Sequence, residues 1–394
     1  MNNNSMDIES LERRMLFTKA PVFAATNLVS NDTTILPASR QDANLVNAWG
    51  LAAGPGTEWW IANNRTGTST LYDGNGTPDT LTVTVPSTTG SSVAGAPTGV
   101  VYNGTNDFQV ATNAPAQFLF DTEQGTISGW GPNADPTHAI VKVDNSASHA
   151  DYTGLAMDTV GNSNFLLAAN FASGKIEIYN STFHTATLTD TFHDKKIPAG
   201  YSPFNVQNIN GLIYVTYAAL DTSNNHDIPG RGHGYVDIYL PNGILDRRLV
   251  KRGTLNSPWG VARFPGGFGR YTHDIAVGNL TDGVIQVFDS KTGVFQGDLK
   301  RSNGKVIRIS GLWGLAFGND GLAGASNELF YTAGPAHYVD GLFGKLDIAS
   351  VTPTSTNPGD PGYIFPSSTS ASSQLFGSDS IIDKNVDSGD ASIL

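Results

Sequence analysis

Leu312-Trp313-Gly314-Leu315-Ala316 repeats a pattern already present at Pro258-Trp259-Gly260-Val261-Ala262, and the module stands at four earlier places as well. These are Ala48-Trp49-Gly50-Leu51-Ala52, Pro97-Thr98-Gly99-Val100-Val101, Tyr152-Thr153-Gly154-Leu155-Ala156 and Pro203-Phe204-Asn205-Val206. The second residues fall at 49, 98, 153, 204, 259 and 313, so the module returns every 49 to 55 residues. A period this regular lies close to the roughly 40 to 50 residues of one propeller blade. A parallel β-helix needs a much shorter period, and two stacked sandwiches need none.

Working outward from each module, a second apolar strand follows: Glu58–Ala62, Phe108–Ala111, Phe165–Ala169, Ile213–Thr216, Asp274–Val277 and Leu329–Thr332. A third strand alternates polar and apolar residues, as in Thr70–Gly74, Gln117–Asp121, Lys175–Asn180, Tyr235–Tyr239, Val284–Asp289 and Gly344–Ile348. Turns rich in Asn, Asp and Gly come next, where those residues supply positive φ. A fourth strand such as Thr80–Val85 or Gly293–Gly297 completes the unit. The expected fold is therefore all-β, a six-bladed β-propeller of four-stranded antiparallel blades. The innermost strand is uncharged because neighbouring blades cover both of its faces, and its Gly suits a crowded axis. The sixth repeat lacks a fourth strand, and Thr26–Ser30 is expected to supply it and close the ring.

Composition agrees. The 394 residues include 44 Gly and 20 Pro with only 15% charged residues, a mix suited to short strands and tight turns. The net charge of −12 argues against nucleic acid as a partner, and no apolar run is long enough to cross a bilayer. With no cysteine, disulfides, thiolate metal sites and a Cys nucleophile are excluded. Three segments are expected: an N-terminal leader or arm over 1–24, the propeller over 25–350, and a Ser/Thr/Pro/Gly-rich extension over 351–394. Ser10-Leu11-Glu12-Arg13-Arg14-Met15-Leu16 resembles a leader of exported bacterial proteins, which implies an extracellular or cell-surface location.

Propeller geometry gathers two sets of side chains at one mouth of the channel. The starts of the inner strands bring Trp49, Thr98, Thr153, Phe204, Trp259 and Trp313. The ends of the second strands bring Asn63, Asn113, Asn170, Tyr217, Asn279 and Gly334. Aromatic faces and carboxamides suit a neutral, polyhydroxylated or planar ligand. Because these residues recur from blade to blade, an architectural role competes with binding. Groups that break the symmetry on the same rim are Arg65, His226, Asp227, Arg231, His233, His337 and Asp340. Four of them, His226, Asp227, Arg231 and His233, come from an insertion between the second and third strands of the fourth repeat. His337 and Asp340 belong to the corresponding loop of the sixth. Ligand candidates on this reading are Trp49, Asn63, Arg65, Asn170, Phe204, Trp259, Asn279, Trp313, His226, His233 and His337. Nucleophile-elbow, P-loop and dinucleotide motifs are missing.

Asn47–Ala52, Trp60–Asn64, Leu71–Gly76, Pro97–Asn103, Phe120–Trp130, Ser257–Ala262 and Asn279–Asp289 resemble an uncharacterised bacterial family of exported, NHL-repeat-like six-bladed propellers. The resemblance spans about Asn27 to Ile348 and implies a fold, with no activity to carry over. More distantly the architecture is similar to six-bladed lactonases and lyases, whose metal sits on Glu, Asn and Asp; Asn170 and Asn279 match two such positions. The expectation is an exported, monomeric, non-catalytic binding propeller, without cofactor, for a carbohydrate, peptide or protein partner. The alternative is a lactonase-like metal-dependent hydrolase or lyase using Ca or Zn in the channel mouth with His226, His233 or His337.

Overall fold

The computed structural model describes residues 20–349. The leader-like Ser10–Leu16 and the extension over 351–394 lie outside the described residues. Between them six small antiparallel sheets follow one another along the chain, giving the six-bladed propeller. The inner strands are Ala48–Ala52, Pro97–Tyr102, Tyr152–Val160, Tyr201–Ile209, Pro258–Arg263 and Leu312–Phe317, one at each of the six modules.

Gly packs each inner strand onto the next. A Cβ on Gly50 would lie 2.5 Å from the Thr98 carbonyl oxygen of blade 2. Gly99, Gly154, Gly260 and Gly314 face the following inner strand in the same way, the last returning to Trp49 and Leu51 of blade 1. Blade 4 carries Asn205 instead, and its Nδ2 donates to the Trp259 carbonyl (2.9 Å), replacing a close approach by a hydrogen bond. Pairing slips at this point of the module, between Ala48 and Leu51, Tyr152 and Leu155, Pro203 and Asn205, Pro258 and Val261, and Leu312 and Leu315. Such bulges break the two-residue alternation and re-aim a side chain. Trp49, Phe204, Trp259 and Trp313 accordingly pack together at the axis.

The N-terminal strand closes the ring. Phe23–Ser30 pairs antiparallel with Leu342–Ile348, from Phe23 opposite Ile348 to Ser30 opposite Leu342, as the outer strand of blade 6. The strand begins at Phe23, two residues before the boundary expected from sequence. Arg40–Gln41 adds a short parallel fifth strand.

Blade 2 departs from the expected assignment. Gln109–Ala111 pairs only with Ala114–Pro115, in a small hairpin of its own. Phe118–Thr122 is the second strand and Thr126–Trp130 the third. All five residues of Phe118–Thr122 are buried, as a position beside the inner strand demands, whereas Gln109 and Ala111 are exposed and Phe108 has a φ of 57°. The rim position of this blade therefore belongs to Thr122, paired with Pro97, and not to Asn113. In blade 6 the paired residue is Ala333, one before Gly334. Blade 3 has three full strands, its fourth reduced to a bridge between Tyr179 and Thr185. No helix among the described residues is long and apolar enough to cross a membrane.

Candidate functional site

The channel is closed by an aromatic plug. Trp49 and Trp313 have ring centroids 3.9 Å apart, Trp259 lies 6.4 Å and 5.9 Å from them, and Phe204 lies 5.9 Å from Trp313. Phe171, at 4.9 Å from Phe204, extends the cluster. Each of the three indoles is 3–4% exposed. The Trp and Phe side chains expected to offer stacking faces to a ligand spend most of their surface on one another. Trp259 Nε1 donates across the channel to the Thr153 carbonyl (2.8 Å), and Trp313 Nε1 to Asn47 Oδ1 (2.9 Å). Trp49 Nε1 is buried with no acceptor among the described residues.

A cavity of about 240 Å³ sits on one side of the plug. Trp49, Phe204, Trp313 and Tyr338 form its aromatic wall, and Asn64, Arg65, Glu123, Asp151, His226 and Asp227 are its main polar lining. Each comes from a connection on the same rim. Asn64 and Arg65 follow the second strand of blade 1, Glu123 follows that of blade 2, and Asp151 precedes the inner strand of blade 3. His226 and Asp227 belong to the insertion of blade 4, where they pair with Asp221 and Leu220 in a short hairpin. Its turn is held by Ser223, whose N–H and hydroxyl both donate to Asp221 Oδ1 (2.9 and 2.7 Å). Glu123, Asp151, Asn225 and His226 also line an adjoining depression of about 380 Å³, which extends the site between blades 2, 3 and 4.

A directed relay links plug to rim. Trp313 donates to Asn47 Oδ1, Asn47 Nδ2 donates to Asn64 Oδ1 (3.0 Å), and Asn64 Nδ2 donates to Glu123 Oε2 (3.1 Å). Every amide in this chain has one orientation, because the indole can only donate. Asn47 adopts φ 49°, a left-handed conformation that Asn tolerates better than most residues.

The carboxyl groups resist ionisation. Burial, and then repulsion from Glu123 and Asp121, pushes Asp151 up to about 8. Its Oδ1 is buried and receives no donor among the described residues. Burial also raises Glu123, against the opposing effects of Asn64, Arg65 and His226. Asp227 is raised by burial as well, although the Ser257 hydroxyl donates to it. Asp121 is pushed to about 6 by complete burial, while Thr98 and Gly99 donate to its Oδ1. Burial and the charge of Asp227 lift Tyr338 to about 12.

Of the residues expected from sequence, Trp49, Arg65, Phe204, Trp313 and His226 meet at this cavity. Trp259 belongs to the plug and lines the opposite end of the channel. The three strand-end carboxamides are not among its lining residues. Asn63 Nδ2 donates to Thr68 and Thr70, and Asn170 bridges Glu177 Oε1 to the Asp151 N–H. Asn279 Oδ1 accepts from the Asn256 N–H and its Nδ2 donates to the Thr254 carbonyl. Asn170 and Asn279 thus brace the chain as it enters the inner strand. His233 Nδ1 contacts the Ile228 carbonyl (2.9 Å), and His337 is exposed in a left-handed turn, Pro335–Tyr338, with φ of 53°, 57° and 67° at Ala336, His337 and Tyr338; its Tyr338 is the cavity residue. Asp340 accepts from Asn31 and so holds the N-terminal strand. Sequence reasoning missed Asn47, Asn64, Glu123, Asp151 and Tyr338. The shifted strand assignment hid Glu123, and Asp151 lies one residue before a module with nothing local to distinguish it.

The residues do not fit the metal expected under the hydrolase alternative. Among the described residues no three His, Asp or Glu side chains gather in a way that holds a metal ion. Asn170 and Asn279, at the lactonase-like positions, are engaged in bracing the chain, and of the three His only His226 reaches the cavity.

No family model matches the chain. It is 31% identical over 326 residues to uncharacterized protein R648 of Acanthamoeba polyphaga mimivirus, covering 81% of this chain and 78% of that protein. Uncharacterized protein L690 of the same virus is 28% identical over 328 residues, covering 81% and 84%. A solved glucose dehydrogenase shares the fold with a TM-score of 0.51 and 13% identity, over 83% of this chain and 100% of that one. The bacterial origin implied by the sequence motifs is not supported, since these sequence relatives are viral. This chain belongs to the family of the mimivirus protein R648.

Proposed function

We propose that the protein is a non-catalytic binding propeller whose ligand seats in the 240 Å³ cavity at the mouth formed by the inner-strand starts. The observation that carries this reading is convergence: polar side chains of blades 1 to 4 and Tyr338 of blade 6 meet above a floor closed by aromatic packing. Groups that differ from blade to blade are what recognition of one ligand requires, whereas the repeated residues serve the ring. A cavity of this size, smaller than the ~300–1,000 Å³ typical of drug-sized ligands, takes a single ring or one residue. A carbohydrate, peptide or protein partner would engage it through one terminal or protruding group, with the adjoining depression receiving the neighbouring sugar or residue. The extracellular setting implied by Ser10–Leu16 belongs to the same reading.

Glycan and peptide arrays probed with labelled wild-type protein and with the double variant Glu123→Gln/Asp227→Asn test it. The expected result is a ligand whose signal falls at least tenfold in the variant. Signal unchanged by the variant, an absence of any ligand, or chemical turnover of the ligand by the wild type overturns the reading.

A further inference from the structure

We propose that the mouth cavity selects a primary ammonium group carrying an oxygen acceptor close by, the chemistry shared by an amino sugar and the free N-terminus of a peptide. This rests on the binding reading above and names what is bound.

Two independent deficits in the cavity point to it. The first is a deficit of donors. Glu123, Asp151 and Asp227 line one small space, yet the protein supplies Glu123 with the Asn64 amide, Asp227 with the Ser257 hydroxyl, and the buried Oδ1 of Asp151 with nothing. Buried polar atoms are almost always paired, so an unpaired atom on a residue that lines a cavity points to a partner from that side. The second is a deficit of one acceptor. Of the three channel indoles, Trp259 and Trp313 have acceptors and Trp49, 4% exposed and lining the cavity, has none. This second deficit owes nothing to the acidic residues.

The charges decide between donors. Arg65 and His226 are the basic groups in the lining, against three carboxyl groups, with Asp121 close enough to repel Asp151 in its charged form. Once Asp151 ionises, the three carboxylates outnumber Arg65 and His226, an excess of negative charge that a monocation offsets. A neutral polyol leaves that excess in place, and an anion adds to it. A guanidinium supplies donors but offers Trp49 no acceptor. An ammonium with a carbonyl or hydroxyl oxygen nearby answers both deficits, and the Trp313 and Tyr338 rings add an aromatic wall favourable to a cation. Because burial and its acidic neighbours keep the Asp151 carboxyl protonated at neutral pH, binding exchanges that proton for the ammonium.

Calorimetric titration of the full chain with glucosamine and with glycinamide, each beside its N-acetylated counterpart, tests this at pH 7. The expected result is at least tenfold tighter binding of one amine than of its N-acetyl form, with release of protons seen as a buffer-dependent heat. Which amine binds identifies the source. Asp151→Asn should lose the amine preference and the proton release together, and Trp49→Phe should weaken both members of the preferred pair equally. Equal or tighter binding of an N-acetyl compound overturns the ammonium assignment while leaving the binding site standing. Failure of both amines to bind, or proton release that persists in Asp151→Asn, also overturns it. The array experiment with Glu123→Gln/Asp227→Asn reports separately on whether the mouth binds anything.

Discussion

The two ends of the channel are built from the same six inner strands and differ completely in chemistry. At the end where those strands begin, Arg65, Glu123 and Asp151 of the rim join His226 and Asp227 of the insertion around 240 Å³. Where the strands run out, a cavity of about 380 Å³ is lined by Leu51, Val101, Leu155, Met157 and Phe317, with carboxamides such as Gln207 and Asn319 and no charged side chain. The neutral end is walled largely by the strands themselves, whose residues repeat because packing around the axis repeats. Loops wall the charged end, and loops are free to differ from blade to blade. The plug of Trp49, Trp259, Trp313 and Phe204 keeps the two apart.

The most direct way to break this separation is to remove the plug. Trp313→Ala deletes a 3%-exposed indole that touches Trp49, Trp259, Phe204 and Tyr338. It also leaves Asn47 Oδ1 without its donor. Loss of a buried Trp costs about 3–5 kcal/mol, which urea unfolding should register as a lower midpoint with an unchanged slope. A loss below ~1 kcal/mol would show that the plug is a loose filling and the ends are not sealed from each other.

A second variant sharpens the charged end and acts in the opposite direction. The folded Asp151 carboxyl lies above its unfolded value near 4, at about 8. For a raised carboxyl, stability is fully present below the unfolded value and is lost as pH climbs through the window from about 4 to about 8. Asp151→Asn removes that loss and should stabilise the protein at pH 8 by on the order of 2 kcal/mol, less than the full shift because the carboxyl keeps part of its hydration. At pH 4 the difference should vanish. Thermal melts of both proteins at the two pH values check it, and equal melting at pH 8 would remove the electrostatic contrast between the ends. A substitution that stabilises the free protein while removing its preference for the ammonium is the behaviour of a site held ready for a ligand.

The same contrast explains what was legible in the sequence. The six modules were readable because the Gly of each meets the next inner strand too closely for a Cβ, so the chemistry recurs wherever the geometry does. Ring closure was readable because blade 6 has no outer strand of its own before Phe23–Ser30 is counted. Blade 2 was misread since Phe108–Ala111 alternates like a strand, and only burial shows that Phe118–Thr122 takes the place beside the inner strand. The charged end was half legible. His226 and Arg65 break the repeat visibly, but the Trp313–Asn47–Asn64–Glu123 relay joins residues up to 266 apart in sequence, and no local pattern announces it. Trp faces that read as ligand platforms turned inward because the bulges in the inner strands aim them at the axis.

A smaller effect tests the relay itself. Asn64→Ala removes the donor to Glu123 Oε2 and the acceptor for Asn47 Nδ2. One buried and one part-buried hydrogen bond should cost about 1–2 kcal/mol together. Glu123, already raised by burial and held down chiefly by Asn64, should titrate at a still higher pH. NMR titration of the Glu123 carboxyl reads this directly, and an unmoved titration would mean that the relay does not set the charge of the rim.

The smallest expected effect is the most telling for the comparison, because it asks whether one end feels the other. Gln207 lines the neutral cavity, and its Oε1 accepts from the Val261 N–H (2.7 Å) and from Asn205 Nδ2 (3.2 Å). Gln207→Glu keeps an acceptor at that place and adds one negative charge to an end that has none. The partly exposed position lets the new carboxylate keep part of its hydration, so the stability change should stay within about 1 kcal/mol. A sealed plug and counter-ion screening should then leave amine affinity at the charged mouth within twofold of wild type, roughly 0.4 kcal/mol. Calorimetry with the preferred amine measures it. A tenfold gain would mean that the charge acts through the plug, making the two ends one electrostatic unit; a change within twofold leaves the aromatic floor as a true boundary, with the loops of blades 1 to 4 and 6 alone setting what the mouth accepts.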